Sequence, residues 1–298
     1  MIYEELNTAS KDIMGTIEAI LAKPSNKIIA LGEMHYSPDR TRLTFQNVVE
    51  SAAKHGFTHL ALELRNTLQP TFEQFQKTGE LDNLVSSLKG NGADKWFRPV
   101  GSDFEGRPDL DIFGMVSKAQ KNNMTIIAVD ESPEDGRYSD RDGKMAARVS
   151  EVLKDQNHKV ILWGGYTHHY ARPIGLRTGW KSAVEHLSEQ HANSILSIAG
   201  ITCEHGLSLV EFDYVSDASG ILEPISRLDD SHIVETKNAA NLALTEAGKI
   251  ERCGNGKHHG ANCQCGSNKP TSNQSPILWG YWDYLIVQNR GFRPEWSL

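Results

Sequence analysis

Two stretches, KIIALGEMH at residues 27–35 and KVILWGGYTHH at residues 159–169, each run an apolar segment into glycine and then set a histidine three residues after a glycine. Imidazole changes charge near neutral pH, so His35 and His168 are candidate acid–base groups or metal ligands. Carboxylates accompany them. Glu33 directly follows Gly32, and Glu63 sits inside THLALEL (58–64), where an unpaired acid is costly to bury. Glu63 therefore needs a cationic partner, a metal or a catalytic task. Arg141 is an always-charged fork suited to a carboxylate or an oxyanion, with a plain surface role as the alternative. Asp130 and Glu131 end a third apolar run and read equally well as functional acids at the sheet edge and as loop or helix-capping acids. His169 must diverge from the adjacent His168, and Tyr166 offers either a hydroxyl or loop packing.

Two imidazoles and two carboxylates suit two chemistries. In one, Glu33, His35, Glu63 and His168 hold a divalent ion (manganese, iron, cobalt or zinc) that polarises a carbonyl and lowers the pKa of bound water. In the other no metal is needed: His35 takes a proton from water, Glu63 orients that machinery, and His168 or Arg141 stabilises the oxyanion. Either way the reaction expected is hydrolysis of a peptide, ester or lactone. The rival classes are a haem- or metal-binding protein that breaks no bond, and a metal-dependent redox enzyme tailoring a biosynthetic product. No G-x-S-x-G, H-E-x-x-H, P-loop or strand-following G-x-G-x-x-G occurs, which demotes the serine-hydrolase, zincin and nucleotide readings.

These side chains need a scaffold that delivers them to one rim. Residues 27–31, 58–64, 125–129 and 160–163 are short and apolar on both faces, as central strands of a parallel sheet are. Between the first pair, residues 39–55 carry Leu43, Phe45, Val48, Val49 and Ala52 at helical spacing and end at Gly56. Between the second pair, residues 139–157 place Met145, Val149, Val152 and Leu153 on one face. The β-α-β unit is thus duplicated. Residues 66–123 form a helical insertion or lid, with helices near 70–89 and 109–122 around a turn-rich centre. A helix near 179–191, strands at 192–200 and 206–215, and a closing strand at 281–287 follow. The expected fold is α/β, with a mainly parallel central sheet flanked by helices, and residues 1–298 form one domain. Ligands of such sheets bind at the carboxyl ends of the strands, where the unusual polar residues fall.

Composition narrows the partners. With a net charge of −7 and 39% apolar residues, the chain has an ordinary globular composition and no basic stripe for nucleic acid. A small-molecule or peptide substrate is expected instead. The N-terminal MIYEELNTASKD is polar and acidic where a secretory signal is basic and then apolar, and no apolar stretch approaches a membrane span, so the expectation is a cytoplasmic protein. Three of the 4 cysteines, Cys253, Cys263 and Cys265, cluster with His258 and His259 in a polar loop at 253–276. Their spacing is not that of a zinc ribbon, so a second metal site at Cys253, His258, Cys263 and Cys265 stands against a loop with no such role.

The ordered set Gly32-Glu33-x-His35, Glu63, Arg141-x-x-x-Met145 and Gly165-x-x-His168 resembles the Tiki/ChaN-like and erythromycin-esterase superfamily over residues 27–170, and YWDYLIV at 281–287 is similar to its closing strand. The resemblance implies an α/β fold with a duplicated unit. It also implies three divergent activities: metal-dependent proteolysis in Tiki-like members, lactone hydrolysis by a histidine-activated water in the esterases, and haem binding in ChaN-like members. A shared fold does not choose among them.

Overall fold

The computed structural model describes residues 12–33, 40–90, 112–131, 140–171, 181–203, 232–235 and 283–289. Within them the elements run α1 (Ile13–Leu21), β1 (Ile28–Glu33), α2 (Arg40–Lys54), β2 (His59–Arg65), α3 (Gln69–Thr78), α4 (Leu81–Gly90), α5 (Ile112–Lys121), β3 (Thr125–Asp130), α6 (Arg141–Val152), β4 (Val160–Gly165), α7 (Ala183–Gln190), β5 (Ile195–Cys203), β6 (His232–Glu235) and β7 (Tyr284–Asn289). The fold is α/β. The sheet order is β3-β2-β4-β1-β5-β7-β6, parallel from β3 through β7, with β6 antiparallel to β7.

The two β-α-β units interlock. β4 lies between β1 and β2, and β2 lies between β3 and β4, so each crossover steps over one strand contributed by the other unit. β1 and β4 are buried along their whole length, which is why their sequences are apolar at successive positions instead of alternating. Interlocking also sets β2 and β4 side by side, so Glu63, near the end of β2, lies beside the end of β4.

Alternation along each strand divides the core into two layers. Ile29, Leu31, Leu60, Leu62, Ile161 and Trp163 face α1, α2, α3 and α5, meeting Ile17, Phe45, Val49, Phe72 and Met115. Ile28, Ala61, Val160 and Leu162 face α6 and α7, meeting Met145, Val149, Ala183 and Leu187. The helical stretch expected at 70–89 is two helices, because Gly79 adopts φ 68° and caps α3. Helices α3 and α5 of the 66–123 insertion bury Phe72, Phe75, Ile112, Phe113 and Met115 in the first layer, so in their described part they are walls of the core. The segment 206–215 and the cysteine-containing loop lie outside the described residues.

β3 is an edge strand, and its outward backbone groups are closed by two side chains of α3. Gln69 accepts from the Ala128 N–H (2.9 Å) and donates to the Ile126 carbonyl (3.2 Å). One helical repeat on, Gln76 accepts from the Ile126 N–H and donates to the Met124 carbonyl, both at 3.2 Å. Two amides thus imitate a neighbouring strand and shield an edge that would otherwise pair with another chain. Replacing both with alanine is expected to destabilise the fold by roughly 2 kcal/mol per glutamine and to expose the edge. Urea denaturation, with sedimentation velocity to detect self-association, checks both effects.

Candidate active site

At the carboxyl edge Glu63 comes from β2, Asp130 from the end of β3, Arg141 and Asp142 from the first turn of α6, and His168 from the 3-10 turn Tyr166–His169 after β4. Arg141 joins them. Its Nε and Nη2 donate to the two oxygens of Asp130 at 2.6 Å each, and Nη2 also donates to Glu63 Oε1 at 2.5 Å. Glu63 Oε2 accepts from the Gly165 N–H at 2.5 Å. Burial opposes the charge on Arg141, but Asp130 and Glu63 outweigh it and raise its pKa further above the ordinary value.

Gly164 makes room for this pair. A Cβ there would stand 2.5 Å from Glu63 Oε2 and 2.7 Å from Glu63 Cβ. Gly32 has a matching role, since its Cβ would come within 2.9 Å of the Tyr166 backbone. Both glycines lie inside strands and outside the left-handed region, so close approach, and not a turn, is what requires them.

His168 is held at both nitrogens. Nδ1 meets Asp142 Oδ1 at 2.6 Å, and the same oxygen accepts from the Ala183 N–H at 3.0 Å. Nε2 lies 3.2 Å from Arg141 Nη1 and 3.3 Å from Glu63 Oε1. Burial disfavours the imidazolium, yet Glu63 and Asp142 prevail over it and over Arg141, so the pKa is raised. His169 diverges as expected. It is buried at 1% exposure, its Nδ1 has no hydrogen-bond partner among the described residues, and it packs against Gly32. Burial pushes it down to about 4, His168 adding to the depression while Glu63, Asp142 and a hydrogen bond to the Leu31 backbone oppose it.

Of the residues singled out by type and spacing, the structure brings Glu63, Arg141 and His168 together. Glu33 is elsewhere. It points into the other core layer, where Arg42 Nη2 donates to Oε1 at 2.7 Å, Arg42 Nε approaches both oxygens at 3.1 Å, and Trp163 Nε1 donates to Oε2 at 3.2 Å. Strand alternation explains this: Glu33 shares the face of Leu31, and Glu63 shares that of Ala61. His35, like Cys253, His258, Cys263 and Cys265, lies outside the described residues. Asp142 was missed from sequence, because an acid in the first turn of a helix reads as a dipole partner and nothing local reports the imidazole it meets. Glu131, the neighbour of Asp130, serves α6 as well, pairing with Lys144 Nζ at 2.6 Å.

Among the described residues the cluster does not fit a metal ion. A guanidinium already fills the space between Glu63 and Asp130, both carboxylates are spent on it, and the two nitrogens of His168 face Asp142, Arg141 and Glu63. Among the described residues no group of three ligand-type side chains is arranged around a common point.

No protein-family model matches the chain, and no curated protein matches it in sequence. Among solved structures, a Bacillus cereus protein shares the fold at TM-score 0.55 and 13% identity, covering 95% of this chain and 92% of that one. The erythromycin esterase EreC in its open conformation matches at TM-score 0.49 and 12% identity over 93% of each chain. ChaN of Campylobacter jejuni, described with cofacial haem, matches at 0.42 and 14% identity over 66% of this chain and 88% of its own. No helix among the described residues is long and apolar enough to cross a membrane.

Two outcomes follow from the burial of these groups. Glu33→Gln removes one partner of an ion pair whose Arg42 side chain is 2% exposed, so a loss of about 3–5 kcal/mol is expected in urea denaturation. His169, depressed to about 4, stays neutral in the fold while the unfolded chain takes up a proton below about 6.5. Its contribution is therefore complete above pH 6.5 and is lost as pH falls towards 4, by about 3 kcal/mol in all. His168, with its raised pKa, has the opposite sign: its contribution is complete below pH 6.5 and lost as pH rises through its folded value. Denaturation midpoints at pH 7.5, 6 and 5 for wild type and His169→Gln check the first sign, because the variant lacks that part of the slope.

Proposed function

We propose that the protein is a hydrolase that adds water across an ester, lactone or peptide carbonyl of a small-molecule or peptide substrate, with Asp142 and His168 as the proton-carrying pair. The observation that supports this most is the double environment of His168 Nε2, which has a donor, Arg141 Nη1, at 3.2 Å and an acceptor, Glu63 Oε1, at 3.3 Å. The neutral ring is matched by the first and the protonated ring by the second. Such a nitrogen exchanges a proton with little reorganisation.

In the resting ring Nδ1–H donates to Asp142, which fixes the tautomer and aims the Nε2 lone pair at the edge of the sheet. His168 keeps 15% of its side chain exposed, leaving an approach for water. As water attacks the carbonyl carbon, Nε2 takes its proton and the imidazolium is stabilised by Glu63 and Asp142. Once protonated, Nε2 no longer accepts from Arg141, so Nη1 is released to donate to the oxyanion while Asp130 and Glu63 hold the rest of the guanidinium. The Nε2 proton then passes to the leaving oxygen or nitrogen. Metal-bound water has no part in these steps, and His35 is assigned none.

Hydrolysis of a panel of activated esters, lactones and peptides tests the reading. The raised pKa of His168 sets the profile: kcat/KM should climb as pH rises through a value above 6.5 and then level off. His168→Gln is expected to lower kcat by about 10²- to 10⁴-fold. Arg141→Lys is expected to lower it by about 10²-fold. Full activity in His168→Gln would refute the assignment. A Soret band on adding haem, with no hydrolysis across the panel, would replace it with a carrier role.

A further inference from the structure

We propose that Ser182, at the start of α7, is a positioning residue for Asp142 and His168, holding the turn that carries the imidazole while the N–H of the next residue holds its carboxylate. The proposal rests on the hydrolytic reading above. Ser182 is wholly buried and takes no part in the proton steps. Its hydroxyl donates to the Tyr170 carbonyl at 2.5 Å, and its oxygen accepts from the Glu185 N–H at 3.0 Å. Tyr170 is the residue on which the Tyr166–His169 turn ends, so the first bond fastens that turn to α7. The second bond makes Ser182 the N-cap. With the helix started there, the Ala183 N–H, which has no partner inside the helix, donates to Asp142 Oδ1 at 3.0 Å. That is the oxygen His168 Nδ1 meets at 2.6 Å.

Capping alone does not call for a hydroxyl at this place. Aspartate caps a helix as well as serine does, but an ionised carboxylate has no proton to give the Tyr170 carbonyl. Serine does both, and its one donor and one of its acceptor sites are used. The Ala183 N–H belongs to the backbone and has no rotamer to lose, so it fixes Asp142 Oδ1 as an acceptor. The ring then keeps its proton on Nδ1 and its Nε2 lone pair at the sheet edge. The charged and titratable groups around His168 are Glu63 from β2, Arg141 and Asp142 from α6, and His169 beside it. Helix α7 therefore acts on the imidazole through Asp142 and through the turn.

The test compares full-length wild type, Ser182→Gly and Glu185→Ala. Glycine is close to serine as a cap, so Ser182→Gly removes both hydroxyl bonds with little loss of helix. It should lower kcat roughly 10-fold with KM nearly unchanged. The inflection of kcat/KM should also move to lower pH, because a loosened Asp142 supports the imidazolium less. Glu185→Ala removes the acceptor of the Ser182 N–H (2.8 Å) and leaves the bonds to Tyr170 and Asp142, so it should lower the thermal midpoint and keep the kcat and inflection of wild type. Wild-type kinetics in Ser182→Gly, or equal kinetic losses in the two variants, would reduce Ser182 to a helix cap and overturn the proposal. NMR of the wild type tests it without variant or substrate: the Ala183 amide should titrate with the inflection of the His168 ring, and an Ala183 amide that stays flat is the overturning result. Absence of hydrolysis by wild type, with the amide titrating, would refute the hydrolytic reading and leave the coupling of α7 to the pair standing.

Discussion

The ion pair between Arg141 and the carboxylates of Glu63 and Asp130 is the constraint on which the carboxyl edge depends. It ties the first turn of α6 to the ends of β2 and β3 with bonds of 2.5–2.6 Å. Asp142, the next residue, is thereby placed to receive His168 from the turn after β4, and the same carboxylate caps the entry to α7 through Ala183. Three separate connections therefore meet through two consecutive residues of one helix. Such a partly buried network has a narrow range of acceptable charge states, because each carboxylate there needs its cation and each donor its acceptor.

A second buried ion pair lies across the sheet. Glu33 and Arg42, with the indole of Trp163 donating to the same carboxylate, are enclosed by the layer that contains α2. Glu33 is paired in register with Gly165, the residue whose N–H holds Glu63, so the two acids flank one point of the sheet from opposite faces. The Glu33–Arg42 pair is almost wholly excluded from solvent, whereas Arg141 keeps 26% of its side chain exposed. That difference sets a pair enclosed in the core apart from a guanidinium open to solvent at the sheet edge.

Much of the architecture was legible because buried parallel strands leave a strong local signature. Ile28–Leu31, Leu60–Leu62, Ile126–Val129 and Val160–Trp163 are apolar on both faces, and the helices between them carry their apolar side chains at helical spacing. Boundaries shifted by a few residues, since Gly32, Glu33, Gly164 and Gly165 extend their strands and do not leave them. From sequence alone Asp130 and Arg141 each stand between a loop or surface role and a functional one, and the structure shows them bonded to each other.

By itself the sequence determined which segments are strands and helices and which side chains are too polar to be buried without a partner, because hydrophobic periodicity and the cost of burying charge are local properties. Only the tertiary structure decided which partner each polar side chain has. Strand alternation sends Glu33 to one face and Glu63 to the other, although both follow a similar apolar run. The interlocked order puts β4 between β1 and β2, so His168 meets Glu63 and Asp142, which lie 105 and 26 residues before it in the chain. Contacts over such separations depend on how strands are ordered in the sheet, and no short window of sequence carries that order.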